Sequence, residues 1–295
     1  MRTSQSTFPT GRRTTGTRKV TASLVCALMA GMAIGAARAE TRLERGRYLM
    51  QAVVACGNCH TPQGPNGPMP GMELAGGVDF QDTGFTAYSA NITPDKATGI
   101  GRWTDAQIIT AIREGKRPDG RLIGPPMPIG RYRGISDSDV RAIVAYLRSV
   151  PAVVNKVMKS AYRMPLPPSY GPPVTKVANV STADQVAYGR YLAGPAAHCI
   201  ECHSAVDANG VPDVVNGLGA GGMQIPGPWG VSVAANITPT GLQRYSDADI
   251  KTIITTGVRP DGSHLKPPMA VPYYAKMKPA DQDALVAYLR SLPPK

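Results

Sequence analysis

The apolar positions of this chain fall into helical stripes that come in pairs. Val140, Ile143, Val144 and Leu147 stand at i, i+3, i+4 and i+7, one face of a helix, and Leu285, Val286 and Leu289 echo them near the C-terminus. Ile108, Ile109 and Ile112 form another stripe, matched by Ile250, Ile253 and Ile254. Each is opened by a capping arrangement, Thr104-x-x-Gln107 and Ser246-x-x-Asp249. Residues 41–55 predict a first helix, in which Gly46 leaves bare backbone where another helix can cross closely. The segments between these stripes are rich in glycine and proline, so the chain reads as mainly α with long Gly/Pro-rich loops.

One apolar run is of a different kind. Val20 to Ala37 follows a basic opening (Arg12, Arg13, Arg18, Lys19) and ends on the small-x-small sequence Ala37-Arg38-Ala39, so residues 1–39 are expected to be an export signal and the mature chain periplasmic. Cys26 lies inside that run. No apolar stretch of 18 or more residues follows residue 39, and no transmembrane span is predicted for the mature chain.

The polar landmarks are paired as well. Gly46-Arg47-Tyr48-Leu49 recurs as Gly189-Arg190-Tyr191-Leu192, Asn91-Ile92-Thr93-Pro94 as Asn236-Ile237-Thr238-Pro239, and Arg117-Pro118-Asp119-Gly120 as Arg259-Pro260-Asp261-Gly262. Ala145-Tyr146-Leu147-Arg148-Ser149 recurs as Ala287-Tyr288-Leu289-Arg290-Ser291. Same order and similar spacing imply two copies of one unit, residues 40–150 and 183–295, each large enough to bury one core. Residues 151–182 join them. Pro165, Pro167, Pro168, Pro172 and Pro173 make that linker an extended strap rather than a flexible tether. Met158 and Met164 within it have no counterpart in the repeat and read as surface or packing residues.

Charge narrows the partners. The expected signal takes six of the 32 basic residues and none of the 20 acids, which lowers the net charge from +12 to +6. Nothing in that remainder indicates a nucleic-acid-binding tail.

The chemistry sits on two further repeated sequences. Cys56-Gly57-Asn58-Cys59-His60 and Cys199-Ile200-Glu201-Cys202-His203 are both C-x-x-C-H, the attachment signature of a c-type haem: two thiols add to the porphyrin vinyl groups and the adjoining histidine ligates iron. Pro125-Pro126-Met127 and Pro267-Pro268-Met269 follow at matched distances, each placing a soft thioether where a sixth ligand is needed. The expected cofactors are therefore two covalently bound haem c groups. Cys56, Cys59, Cys199 and Cys202 are the attachment sites, and His60, Met127, His203 and Met269 the iron ligands. Two disulfides or two zinc sites are the alternatives that cysteine spacing by itself leaves open. Trp103 and Tyr245 occupy equivalent places before the capped helices, either on the haem or in the plain core. His198 and His264 are not matched in the other copy and are expected to face solvent. Arg117, Arg121, Arg131 and Arg133 crowd the first methionine, while Arg259, Lys266, Lys276 and Lys278 flank the second with Tyr273 and Tyr274; such surrounds can steer an acidic partner.

The succession C-x-x-C-H, N-I-T-P, W-T-D-A-Q-I, R-P-D-G, P-P-M-P and A-I-V-A-Y-L-R-S resembles the bacterial multihaem cytochrome c family that includes the cytochrome c subunits of membrane-associated alcohol and sugar dehydrogenases. The resemblance covers nearly all of residues 40–295. It implies two tandem class I cytochrome c domains carrying the attachment and ligand residues named above. Those subunits usually have three haem units, where this chain has two.

His/Met ligation leaves no open position on the iron and raises its potential relative to a harder ligand, which suits electron transfer rather than catalysis. The expected function is single-electron transfer from a periplasmic or membrane-associated dehydrogenase to a downstream respiratory acceptor, a cytochrome or terminal oxidase. The alternative is a dihaem enzyme, a peroxidase or a thiol- or thiosulfate-oxidising dehydrogenase, in which Met127 or Met269 yields its place on one catalytic haem.

Overall fold

The computed structural model of the protein describes residues 39–208 and 210–295, and Gly16 in isolation; the expected export signal with Cys26 otherwise lies outside the described residues. Helix α1 (Arg42–Tyr48) starts from a capping box in which the Thr41 hydroxyl accepts from Glu44 N and the Glu44 carboxylate accepts from Thr41 N at 2.8 Å. It does not run on to residue 55. Val54 N donates to Leu49 O at 2.7 Å, five residues back, so Leu49–Val53 is a π turn, and Ala55 adopts a left-handed φ of 53° before α2 (Cys56–His60). One extra residue in a turn swings the succeeding residues by about 100° around the axis, which aims the C-x-x-C-H turn away from the line of α1.

Two small antiparallel hairpins come next, β1 (Gln63–Gly64) with β2 (Gly67–Pro68) and β3 (Asp79–Gln81) with β4 (Phe85–Tyr88). Helix α3 (Asp105–Glu114) opens on the capping box of Thr104 and Gln107 and closes on Gly115, whose φ of 65° a side chain would strain. A single turn, α4 (Ile129–Tyr132), and the long helix α5 (Asp137–Ser149), capped by Ser136, finish the first half. The i, i+3, i+4, i+7 stripe of α5 is the core: Val140, Ile143, Val144 and Leu147 are all buried.

The connecting residues 151–182 lie extended over the first half. Val153, Asn155 and Val157 turn inward between exposed neighbours, and β5 (Ala161–Tyr162) adds a third strand beside β4. Met158 and Met164 are exposed.

The second half repeats the plan. Helix α6 (Gln185–Tyr191) passes into a π turn at Leu192–Ala196, His198 takes a left-handed φ of 44°, and α7 (Cys199–Cys202) carries the second motif. Hairpin β6 (Gln224–Gly227) with β7 (Gly230–Val233) precedes the short α8 (Pro239–Leu242) and α9 (Asp247–Thr256), the latter capped by Ser246 and Asp249. The turn α10 (Val271–Tyr274) and helix α11 (Pro279–Ser291) close it. Among the described residues no helix is long and apolar enough to cross a membrane.

Gly46 and Gly189 do what their missing side chains allow. A Cβ on Gly46 would stand 1.9 Å from Ala142 O of α5, and one on Gly189 1.9 Å from Ala284 O of α11. Backbone cannot give way there. Gly46→Ala should therefore cost at the upper end of the roughly 1–3 kcal/mol typical of overpacking, or more, read as a lowered melting temperature, whereas Gly130→Ala, with nothing within 4 Å, should be nearly silent.

Residues 40–295 form one compact unit, because the halves interlock through crossed equivalents. Tyr48 of α1 donates to Asp281 of α11 at 2.6 Å, and its counterpart Tyr191 of α6 donates to Asp139 of α5 at 2.7 Å. The backbone N–H groups of Lys278 and Ser136, again counterparts, each donate to the opposing tyrosine hydroxyl. On one side only, Arg45 adds a two-pronged ion pair to Asp139 at 2.9 and 2.8 Å.

Candidate functional site

All eight residues expected to hold the cofactors line one continuous cavity of about 1470 Å³, larger than ordinary small-molecule sites. Cys56, Cys59, His60 and Met127 come from the first half, and Cys199, Cys202, His203 and Met269 from the second. The walls are mainly aliphatic and aromatic, with Ile108, Ile143, Leu147 and Tyr132 on one side and Ile250, Leu285, Leu289 and Tyr274 on the other.

Each motif histidine is oriented in the same way. His60 Nδ1 lies 2.8 Å from Ala90 O and His203 Nδ1 lies 2.8 Å from Ala235 O. A carbonyl accepts only, so Nδ1 carries the proton and Nε2 keeps its lone pair, the arrangement that a metal-ligating imidazole requires. Burial lowers both imidazole pKa values, so the rings stay neutral. Burial also pushes the Cys56 and Cys199 thiols up to about 12 and those of Cys59 and Cys202 up to about 11. All four cysteines are unpaired. Among the described residues no three His, Cys, Asp or Glu side chains converge on a point.

Met127 and Met269 each follow a Pro-Pro pair on the loop leading into α4 or α10. Different donors hold the two loops: Tyr162 donates to Pro125 O at 3.1 Å, whereas Ser232 donates to Pro267 O. The basic residues around them are largely engaged. Arg131 reaches Glu201 at 3.1 Å, Arg133 donates to Pro172 O, and Lys278 meets Glu40 at 2.8 Å. Arg117 stacks over Trp103, 5.5 Å from the ring centroid, and lines the cavity; its Nε makes no hydrogen bond and lies 3.9 Å from the Asp119 carboxylate, and burial lowers its pKa. A half-buried guanidinium with a donor left over fits an acidic group inside the cavity, as a haem propionate would be. Trp103 and Tyr245 pack on the core and line the same cavity.

Several contacts beside the cavity escape sequence reasoning because they cross between halves. Asn58 of the first motif donates to Pro268 O at 3.1 Å, and the Tyr273 hydroxyl lies over Gly57, where a Cβ would come within 2.3 Å. The equivalent contact in the other direction is Arg131 with Glu201 of the second motif. Aligning the two methionine loops pairs Arg131 with Tyr273 and Tyr132 with Tyr274, the signal that could have singled them out. His198 departs from its expected place. It lies half-buried in the cavity wall with its ring edge-on to Tyr132 at 5.6 Å, and burial pushes its imidazole down to about 4. The left-handed turn before Cys199 directs it inward, a backbone effect that its neighbours in sequence do not announce. His264 is exposed as expected.

Residues 186–293 match the family model of cytochrome c, and residues 41–147 that of cytochrome c oxidase, cbb3-type, subunit III. The chain consists of two tandem cytochrome c domains. Such domains imply covalently bound haem c. The alcohol dehydrogenase (quinone) cytochrome c subunit of Gluconobacter oxydans (strain 621H) is 34% identical over 286 residues, which cover 89% of this chain and 58% of that protein. The fructose dehydrogenase cytochrome subunit of Gluconobacter japonicus is 32% identical over 268 residues, 86% of this chain and 53% of that one. A diheme cytochrome c-type protein of Cereibacter sphaeroides is 27% identical over 253 residues, 81% and 82% of the respective chains. The two cytochrome c domains thus span a little over half the length of the two dehydrogenase subunits.

Proposed function

We propose that this protein is a periplasmic dihaem cytochrome that passes single electrons from a dehydrogenase to a downstream respiratory acceptor, a cytochrome or terminal oxidase. The observation that carries the reading is the duplicated donor set, in which each carbonyl-oriented imidazole shares the apolar cavity with the methionine of its own half. Haem, when bound, supplies reversible one-electron exchange at iron. Cys56 and Cys59 would attach one group, Cys199 and Cys202 the other, through thioether bonds. His60 with Met127, and His203 with Met269, would supply the protein's donors to the two irons. The apolar walls would keep water from the metal, and Arg117 would offset propionate charge at the first site.

The crossed Tyr–Asp bonds hold the two sites in fixed relation, which supports a relay within one protein rather than two independent carriers. The dehydrogenase donor is supported by the dehydrogenase subunits among the relatives and by the neutral, ligand-saturated chemistry of the donor set. Redox titration of the exported holoprotein should resolve two low-spin haems, and the reduced form should leave carbon monoxide unbound. A high-spin centre that takes up the gas would overturn the reading.

A further inference from the structure

Strand β4 is paired on both edges, with β3 on one side and β5 of the strap on the other, whereas β7, its counterpart, is paired only with β6 among the described residues. Aligning Asn91 with Asn236 sets Phe85, Thr86 and Tyr88 against Gly230, Val231 and Val233. In the first half Tyr88 N points to the strap and donates to Ser160 Oγ at 3.0 Å. In the second, Ala234 N donates inward to Met223 O, so the N–H of Val233 points outward. Val231 and Val233 are 49% and 64% exposed on this edge. An unpaired strand edge with apolar side chains is a template for another strand.

The way the strap covers β4 shows what β7 would and would not accept. Tyr162 is the anchor in the first half: it packs on Phe85, with ring centroids 6.0 Å apart, fills the space over Gly124, and donates to Pro125 O. All three partners change in the second half. Phe85 becomes Gly230, Pro267 O is already taken by the Ser232 hydroxyl, and Gly124 becomes the exposed Lys266. A Cβ at Gly124 would come within 2.5 Å of the Tyr162 ring. A tyrosine is thereby refused beside Lys266, and an ammonium group stands in its place.

We propose that the open edge of β7 docks an extended, acidic segment of a partner protein, added as a strand beside Val231 and Val233 with a carboxylate at the position of Tyr162 to pair with Lys266. Main-chain bonds to the Val233 N–H and its neighbours provide the attraction, and Lys266 the choice of side chain. Val231, Val233 and Lys266 line the mouth of the cavity that holds Met269, so the docked strand would lie beside the second site. Docking at this edge is independent of the electron-carrier reading, since binding alone tests it.

The probe is a synthetic peptide of residues 155–167 of the strap with its basic Lys156, Lys159 and Arg163 replaced by serine, compared with the same peptide carrying Tyr162→Glu, both added to the full holoprotein and followed by fluorescence anisotropy and amide chemical shifts. The strap already occupies β4, so of the two equivalent edges only that of β7 is open to it, and the position of the shifts separates it from the outer edges of β3, β5 and β6. The Tyr162→Glu peptide should bind at least ten-fold more tightly than the one that keeps Tyr162, with shifts centred on Val231 and Val233. Val233→Pro, which deletes the outward donor, should abolish binding, and Lys266→Gly should remove the ten-fold preference. Methylating the peptide's own backbone nitrogens tests the same bonds without altering the protein and should also abolish binding. Failure of both peptides to bind, or binding indifferent to Lys266→Gly and to the methylated backbone, would overturn the proposal. So would a dimer of the holoprotein that disappears in Val233→Pro, because the edge would then serve a second copy.

Discussion

Met127→Ala and Met269→Ala should each abolish the sulfur-to-iron absorption at the red end of the spectrum for one haem only, and lower that haem's potential by tenths of a volt. The size follows from the roughly 0.8 V over which axial ligands set haem potentials, with thioether at the upper part of the range. A soft thioether favours the reduced metal, and alanine offers no donor at all. Covalent attachment should survive, because the thiols and histidine of each motif lie on α2, or on α7 and its C-cap, apart from the loop that carries the methionine. The two effects should be independent in the spectrum. Ligand loss in one half leaves the other half's imidazole hydrogen-bonded to its own carbonyl, Ala90 O or Ala235 O. Potentiometric titration of both variants checks this. An unchanged band and potential in either variant would mark that methionine as packing and leave its haem in need of another ligand.

Asp139→Ala should be the most damaging single substitution at the interface between the halves. Asp139 is buried and accepts from Arg45 twice and from Tyr191 once, so truncation strands a guanidinium of 21% exposure together with a buried hydroxyl. Removing one partner of a buried ion pair costs about 3–5 kcal/mol, here taken toward the lower end because Arg45 keeps some access to water. In a chain of this size that is a fall of roughly 10 °C in melting temperature. Asp281→Ala should cost clearly less, since the counterpart of Arg45 is Tyr188 and, among the described residues, the Asp281 side chain accepts from the hydroxyl of Tyr48 with no arginine beside it. Thermal unfolding of the two variants side by side measures the difference. Equal losses would show that the Arg45 pair contributes nothing beyond the tyrosine bonds.

The paired variants also bear on how much of this protein is written locally. The C-x-x-C-H turns, the capped helices and the close crossings at Gly46 and Gly189 depend on residues a few positions apart or on a missing Cβ, and they are legible in the sequence for that reason. The duplicated landmarks likewise make two tandem cytochrome c domains readable from the chain itself. What escaped has a common cause. The π turn at Leu49–Val53 replaces a helix that apolar pattern alone would continue, because every side chain there except the exposed Gln51 packs inward at either pitch, whereas at Leu192–Ala196 the half-buried Pro195 is the one residue that marks a break. The hairpins are too short for alternation to show.

Residue types and spacing therefore determined the chemistry of the site: which thiols, imidazoles and thioethers are available, and that they come in two sets. The tertiary structure alone decided that both sets open into one cavity, that Tyr48 and Tyr191 cross to the opposite half's aspartate, that His198 turns inward, and that the strap covers β4 but leaves the edge of β7 bare. Those features join positions as much as 233 residues apart, as Tyr48 and Asp281 are. No local propensity encodes such a contact; it forms only when packing has brought the two surfaces together and excluded the water that each would otherwise bind.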